Sequence, residues 1–137
     1  MRLNVSWLLP VAFLAAAPLA GAAAPSALQL AIDSQKVLNE YAIGAMDPEA
    51  MKYAQRLRRT QDALDAQARL WPAQSGAGDA WTPLRLCQVA LQQASALAAL
   101  SARKAVSASS EQDFLAGKAR LQQLRSECDG LIRRAGK

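Results

Sequence analysis

The sequence predicts an all-α domain: an up-down-up-down four-helix bundle with a disulfide-closed C-terminal helical hairpin. Three observations lead there. Alanine, leucine, glutamine, arginine and serine dominate the chain after its leader, and β-branched and aromatic residues are few, a composition that favours helices over strands. Four stretches carry apolar residues at alternating three- and four-residue steps, joined by two short links and one medium one. Finally, Cys87 and Cys128 fall on apolar positions of the last two stretches.

Residues 1–23 read as a cleaved secretory signal peptide. Met1-Arg2-Leu3-Asn4 is a short positive start, Val5 to Leu19 is apolar, and Ala20-Gly21-Ala22-Ala23-Ala24 offers small residues for cleavage after Ala22 or Ala23. The alternative is an uncleaved anchor, but the apolar run is broken by Pro10 and Pro18 and falls short of the about 20 residues a span needs. No cysteine lies near the cut, which excludes a lipid anchor at that site. The expectation is therefore a periplasmic protein with no stable membrane anchor after cleavage. An even cysteine count suits that oxidising compartment. Residues 24–137 then form a single helical-bundle domain of roughly 115 residues, enough for one core. Arg2 carries the leader's one charge, so the mature part keeps +4 of the chain's +5.

The first helix is expected from Ala27 to about Ile43, introduced by Pro25-Ser26 and ended by Gly44. Leu28, Ala31 or Ile32, Gln35, Leu38 or Asn39, Ala42 and Ala45 trace its inner face, with Val37 and Tyr41 beside it, while Asp33, Lys36 and Glu40 point away. Asp47-Pro48-Glu49 supplies a cap, a first-position proline and an early acid for the second helix, which runs to about Leu70. Ala54, Leu57, Gln61, Leu64, Ala68 and Trp71 form its inner face. Arg58 with Asp62 and Asp65 with Arg69 sit at ion-pair spacing on its outer side. Trp71-Pro72 closes this helix, and a small-residue loop to Ala80 leads on to Trp81.

Thr82-Pro83 starts the third helix. Leu84, Cys87, Leu91, Ala94, Ala98 and Ser101 make its seam, with Arg85, Gln88, Gln92, Ser95 and Arg103 on the other side. Val106 to Ser110 breaks the pattern. Ser109 with Gln112, or Ser110 with Asp113, resembles a capping box for the fourth helix. Phe114, Gly117, Leu121, Leu124, Cys128 and Leu131 repeat the seam spacing, and Arg133 and Arg134 suit the negative helix end. In an antiparallel hairpin, facing residues have a constant sum of numbers. Setting that sum by Cys87 and Cys128 pairs Leu84 with Leu131, Leu91 with Leu124, Ala94 with Leu121, Ala98 with Gly117 and Ser101 with Phe114. One assumed bond thus accounts for five further seam contacts, and the fold-back lands in the serine-rich stretch. The competing reading is two free cysteines packed as small hydrophobes.

The residue inventory limits the chemistry. With no histidine, neither a Ser-His-Asp nor a Cys-His arrangement can form, and no catalytic residue is assigned. Bridged cysteines leave no thiolate for a metal, and neither a C-x-x-C-H haem site nor a phosphate loop is present. No cofactor is expected. Asp62 and Asp65 are paired carboxylates, read as salt-bridge partners on an outer face rather than as acid and base.

Two features suit recognition. Lys52, Arg56 and Arg59 share one helix face, with Arg58 beside them, and fit an acidic protein surface, an anionic membrane or simply solvent. Trp71 and Trp81 flank the glycine-rich loop that holds Asp79; they either plug the open end of the bundle or anchor a partner. Nucleic acid fits less well, because no aromatic residues interleave the cations. The sequence reading is thus a small exported protein that binds another protein, in the format of an inhibitor, immunity protein or adaptor. The alternatives are a small-ligand or metal carrier, with Met46, Met51, Tyr41 and Tyr53 lining a pocket, or a structural envelope protein.

Overall fold

A computed structural model describes residues 25–46, 54–73, 81–104 and 111–137. Outside the described residues lie the expected leader, Asp47-Pro48-Glu49, Lys52, Met51, Tyr53, the loop with Asp79, and the expected caps Ser109 and Ser110; the side chains of Met46 and Thr82 are likewise not described. The described residues are all-helical: α1 (Ala27–Met46), α2 (Ala54–Arg69), α3 (Trp81–Lys104) and α4 (Glu111–Ala135).

Ser26 caps α1. Its Oγ accepts the Gln29 backbone N–H at 3.1 Å, and its carbonyl accepts that of Leu30 at 3.0 Å. Gly44 does not end the helix as expected; α1 runs on to Met46. A helical glycine is tolerated at modest cost, and Pro48 disfavours the helical conformation of the residue before it. The inner face of α1 is also shifted from the expected one. Ala27, Leu30, Ala31, Ser34 and Leu38 are buried, Gln35 is half-buried, and Asn39 is exposed.

Along α2, Leu57, Leu64 and Ala68 are buried as the periodicity predicts, together with Thr60. The predicted ion pairs on its outer side do not close. Among the described residues neither Arg58 with Asp62 nor Asp65 with Arg69 comes within 4.0 Å, whereas Lys36 meets Asp33 at 3.3 Å and Arg133 meets Asp129 at 2.7 Å. Exposed ion pairs gain little over hydration, so such spacing does not compel contact.

α3 begins one residue before the predicted cap, at Trp81, which leaves Pro83 inside the first turn. The first N–H groups of a helix have no intrahelical partner, so proline is tolerated there. All six predicted seam residues of α3 are buried. So are Ala90, Leu97 and, against expectation, Ser95. The reason is position: α3 packs against α1, α2 and α4, while α2 and α4 barely touch. The bundle has a short diagonal between α1 and α3, and both helices carry small buried residues, Ala31 and Ser34 on α1 and Ala90 and Ser95 on α3 among them, which suit close packing. The antiparallel sense of neighbouring helices shows in their contacts. Ala68 meets Gln88 and Pro72 meets Arg85, while Gln35 meets Asp129 and Asn39 meets Arg125.

Cys87 and Cys128 form the disulfide, with Cα atoms 5.0 Å apart and both residues fully buried. Phe114, Leu121 and Leu124 are buried with them; Gly117 and Leu131 are half-buried. Gly117 lies closest to Leu97 and Gln93, and its carbonyl accepts Gln93 Nε2 at 3.4 Å. The constant-sum pairing predicts Ala98 at this level, and Ala98 is fully buried; the longer side chains of Leu97 and Gln93 are what reach nearest to a Cβ placed on Gly117.

The two glycines inside α4 should respond differently to alanine. A Cβ on Gly130 meets only Arg134 Nη1, at 3.4 Å, on an exposed flexible side chain. Gly130→Ala should therefore raise the urea midpoint by an amount equivalent to about 0.5–1 kcal/mol. A Cβ on Gly117 comes within 3.2 Å of Leu97 Cδ1, and Leu97 is itself buried. Gly117→Ala should show none of that gain; an equal rise at both sites would contradict the close α3–α4 approach.

Candidate functional site

Trp71, just past the end of α2, is 5% exposed and belongs to the core. Its indole Nε1 donates to Ser34 Oγ at 3.0 Å, and Ser34 Oγ donates to the Leu30 carbonyl at 2.7 Å. A tryptophan N–H taken from water needs such an acceptor. Trp71 is therefore the plug of the bundle end and is not free to meet a partner. Trp81, the first residue of α3, stacks edge-on against it with ring centroids 5.8 Å apart and planes at 79°. It packs on the core while remaining half-exposed. Leu70, beside Trp71 in the chain, is 61% exposed.

This end is braced by two side chains that the periodicity had assigned to the solvent side of α3. Arg85 Nη2 donates to the Pro72 carbonyl at 2.8 Å, and Gln88 Nε2 donates to the Ala68 carbonyl at 3.2 Å. The last carbonyls of a helix have no partner within it, so Gln88 caps that of Ala68 from the side, while Arg85 holds the segment just beyond the end of α2. The sequence signal for this bracing was an amide and a guanidinium three residues apart, facing a helix end that proline had closed. Ser34 was missed as a core residue because it interrupts an apolar stripe.

The second predicted region lies at the other end of α2. Arg56, Arg58 and Arg59 are exposed there, and among the described residues none of them has a carboxylate within ion-pair distance. Arg59 and Trp71 are separated by about 18 Å at 1.5 Å per helical residue. The tryptophans, past the end of α2 and at the start of α3, and the arginines in the first half of α2 are thus two patches, not one cluster. Tyr41, offered as a pocket residue, is half-buried against the core. Among the described residues, no three or more Cys, Asp and Glu side chains gather where they could hold a metal ion, and no helix is long and apolar enough to cross a membrane.

No protein-family model, curated protein or solved structure matches the chain.

Proposed function

We propose that this is an exported helical module that works by binding another protein, as an inhibitor, an immunity protein or an adaptor, rather than by catalysis. One observation carries the reading: the first half of α2 presents Arg56, Arg58 and Arg59 to solvent, and none of them has a carboxylate of the described residues within ion-pair distance. A cluster of uncompensated charge on a rigid scaffold steers an oppositely charged partner and sets its orientation. The half-exposed Trp81, held edge-on by the buried Trp71, adds a preorganised aromatic anchor. The buried disulfide is consistent with an oxidising, extracytoplasmic compartment. On this reading the partner offers an acidic surface and an apolar recess.

The test is capture of partners by the tagged mature protein from the periplasm and secreted material of its own host. A near-stoichiometric protein should be retained, released as salt rises, and lost with Arg56→Glu/Arg59→Glu. Trp81→Ala should weaken retention while leaving the unfolding midpoint nearly unchanged. Retention that ignores both the charge reversal and salt would reject the arginine face. A large fall in stability for Trp81→Ala would make that residue a second plug.

A further inference from the structure

Asp113, Arg120, Glu127 and Arg134 stand at heptad spacing along α4, all exposed and alternating in sign. A straight helix drifts about 20° per heptad, so the row stays on one side of α4. Neighbours in it are about 10 Å apart at 1.5 Å per residue, beyond ion-pair reach. Among the described residues none of the four has an opposite charge within ion-pair distance. Arg120 Nη1 instead donates to Gln123 Oε1 at 3.2 Å, and Gln123 Nε2 donates to Glu127 Oε1 at 2.8 Å. These contacts leave most of the guanidinium fork and one carboxylate oxygen to solvent.

A recess of about 380 Å³ joins this side of α4 to α3, lined by Glu127, Gly130, Leu131 and Arg134 from α4 and by Leu86 from α3. From Leu86 a stripe runs along α3 at helical spacing: Leu86, Val89, Gln93, Ala96 and Leu100. None of the five is buried; Val89 is 41% exposed and Ala96 is exposed. Gln93 reaches back to α4 at the Gly117 carbonyl. The two helices thus share one face, largely apolar along α3 and alternately charged along α4.

The charge row specifies its own complement. Its order of signs inverts when it is read from the other end. A second copy of α4 laid antiparallel therefore meets each charge with its opposite. Asp113 faces Arg134 of the second copy and Arg120 faces Glu127 of the second copy, each pair occurring twice by symmetry. A parallel copy in register sets like against like. Between the charges the antiparallel register places Ala116 against Gly130 and Gln123 against its own counterpart, so no bulky side chain holds the helices apart. The Cys87–Cys128 bridge fixes how α3 lies along α4. Carried through that register, the same twofold axis sets Leu86 against Ala96 and Val89 against Gln93 of the second copy, to within a residue. Self-matching of one patch about one axis is what a twofold interface requires. Exposed ion pairs add little affinity but fix register and orientation, which leaves the α3 stripe to supply the apolar contact. The face spans roughly 30 by 20 Å, from the rise and width of two helices, which suits a modest, reversible association. We infer that the α3–α4 face binds a second copy of this chain in an antiparallel twofold dimer, registered by the Asp113–Arg134 and Arg120–Glu127 pairs. This face stands apart from the protein-binding reading and does not depend on it.

The experiment is sedimentation velocity of the oxidised mature protein between about 1 μM and about 1 mM. The mass should rise reversibly from one chain toward two, and the dimer should weaken as salt rises. Arg120→Glu creates two like-charge contacts by symmetry and should weaken the dimer by about tenfold or more; Glu127→Arg should do the same. Combining the two exchanges the partners and should restore the dimer. Val89→Asp, on the other helix, should weaken it as well. Should one single reversal fail to fold, the other and the combined variant make the same comparison. A chain that stays monomeric throughout would overturn the inference. So would a dimer that the single reversals leave unchanged, or a combined variant no tighter than either reversal alone.

Discussion

Trp71→Ala is expected to destabilise the fold by about 3–5 kcal/mol, the range for truncating a buried large aromatic. The side chain is 5% exposed, fills the end of the bundle, and touches α1 through Ser34 and the start of α3 through Trp81. Its removal leaves a cavity lined by elements that Arg85 and Gln88 hold in place, so collapse around the gap is restricted. The polar half of the contact is smaller and can be separated. In Trp71→Phe the N–H is lost, but Ser34 still donates to the Leu30 carbonyl, so no donor is stranded. The hydrogen-bond part of that cost should be about 1 kcal/mol. Ser34→Ala instead orphans the buried indole N–H and should cost about 1–3 kcal/mol. The double variant should cost less than the sum of the two, because the second change removes the donor that the first one stranded. Urea unfolding measures all four proteins. A Trp71→Ala loss below about 1 kcal/mol would mean that the plug is not part of the cooperative core.

The second large effect belongs to the disulfide. Cys87→Ala/Cys128→Ala should lower stability by about 2–5 kcal/mol, the range for losing a native bridge from a small domain. The bond closes a separation of 41 residues between helices already packed along their seam. In the chain-entropy account its main action is to restrict the unfolded chain, so the far-ultraviolet CD spectrum of the double variant should remain helical at low temperature. A companion measurement is thiol alkylation. The oxidised protein, unfolded without reductant, should take up no label, and the reduced protein should take up two, one for each of Cys87 and Cys128. Two labels without reductant would refute the bridge.

The hairpin was legible because it needs only one helix's neighbour in sequence. A repeat of three and four residues marks which side of each helix is apolar, and two cysteines on those sides fix how far one helix slides along the other. Leu84, Leu91 and Ala94 on α3 and Leu121 and Leu124 on α4 all follow from that. The Gly117 layer marks its limit, since the reach of the Leu97 and Gln93 side chains to that glycine does not follow from the pairing of seam positions.

The candidate sites were legible in residue type more than in role. An arginine cluster on α2 can be read from spacing, but the open ion pairs beside it cannot, because exposed side chains choose between a partner and water by small differences. Trp71 and Trp81 looked alike in sequence. They differ because Ser34 on α1 offers an oxygen to one indole, while the other lies at the margin of the core.

The sequence by itself determined the all-helical class, the seams and the cysteine partners, because each depends on periodicity along one or two neighbouring helices. Only the tertiary structure decided that Ser34, Thr60 and Ser95 are interior, that Arg85 and Gln88 brace the end of α2 and the segment after it, and that polar pairs line the groove between α1 and α4. The physical reason is common to all of them. A polar group is buried, or turned to structural use, according to the partner another helix brings to it, and the short α1–α3 diagonal that sets those meetings arises only when all four helices pack together.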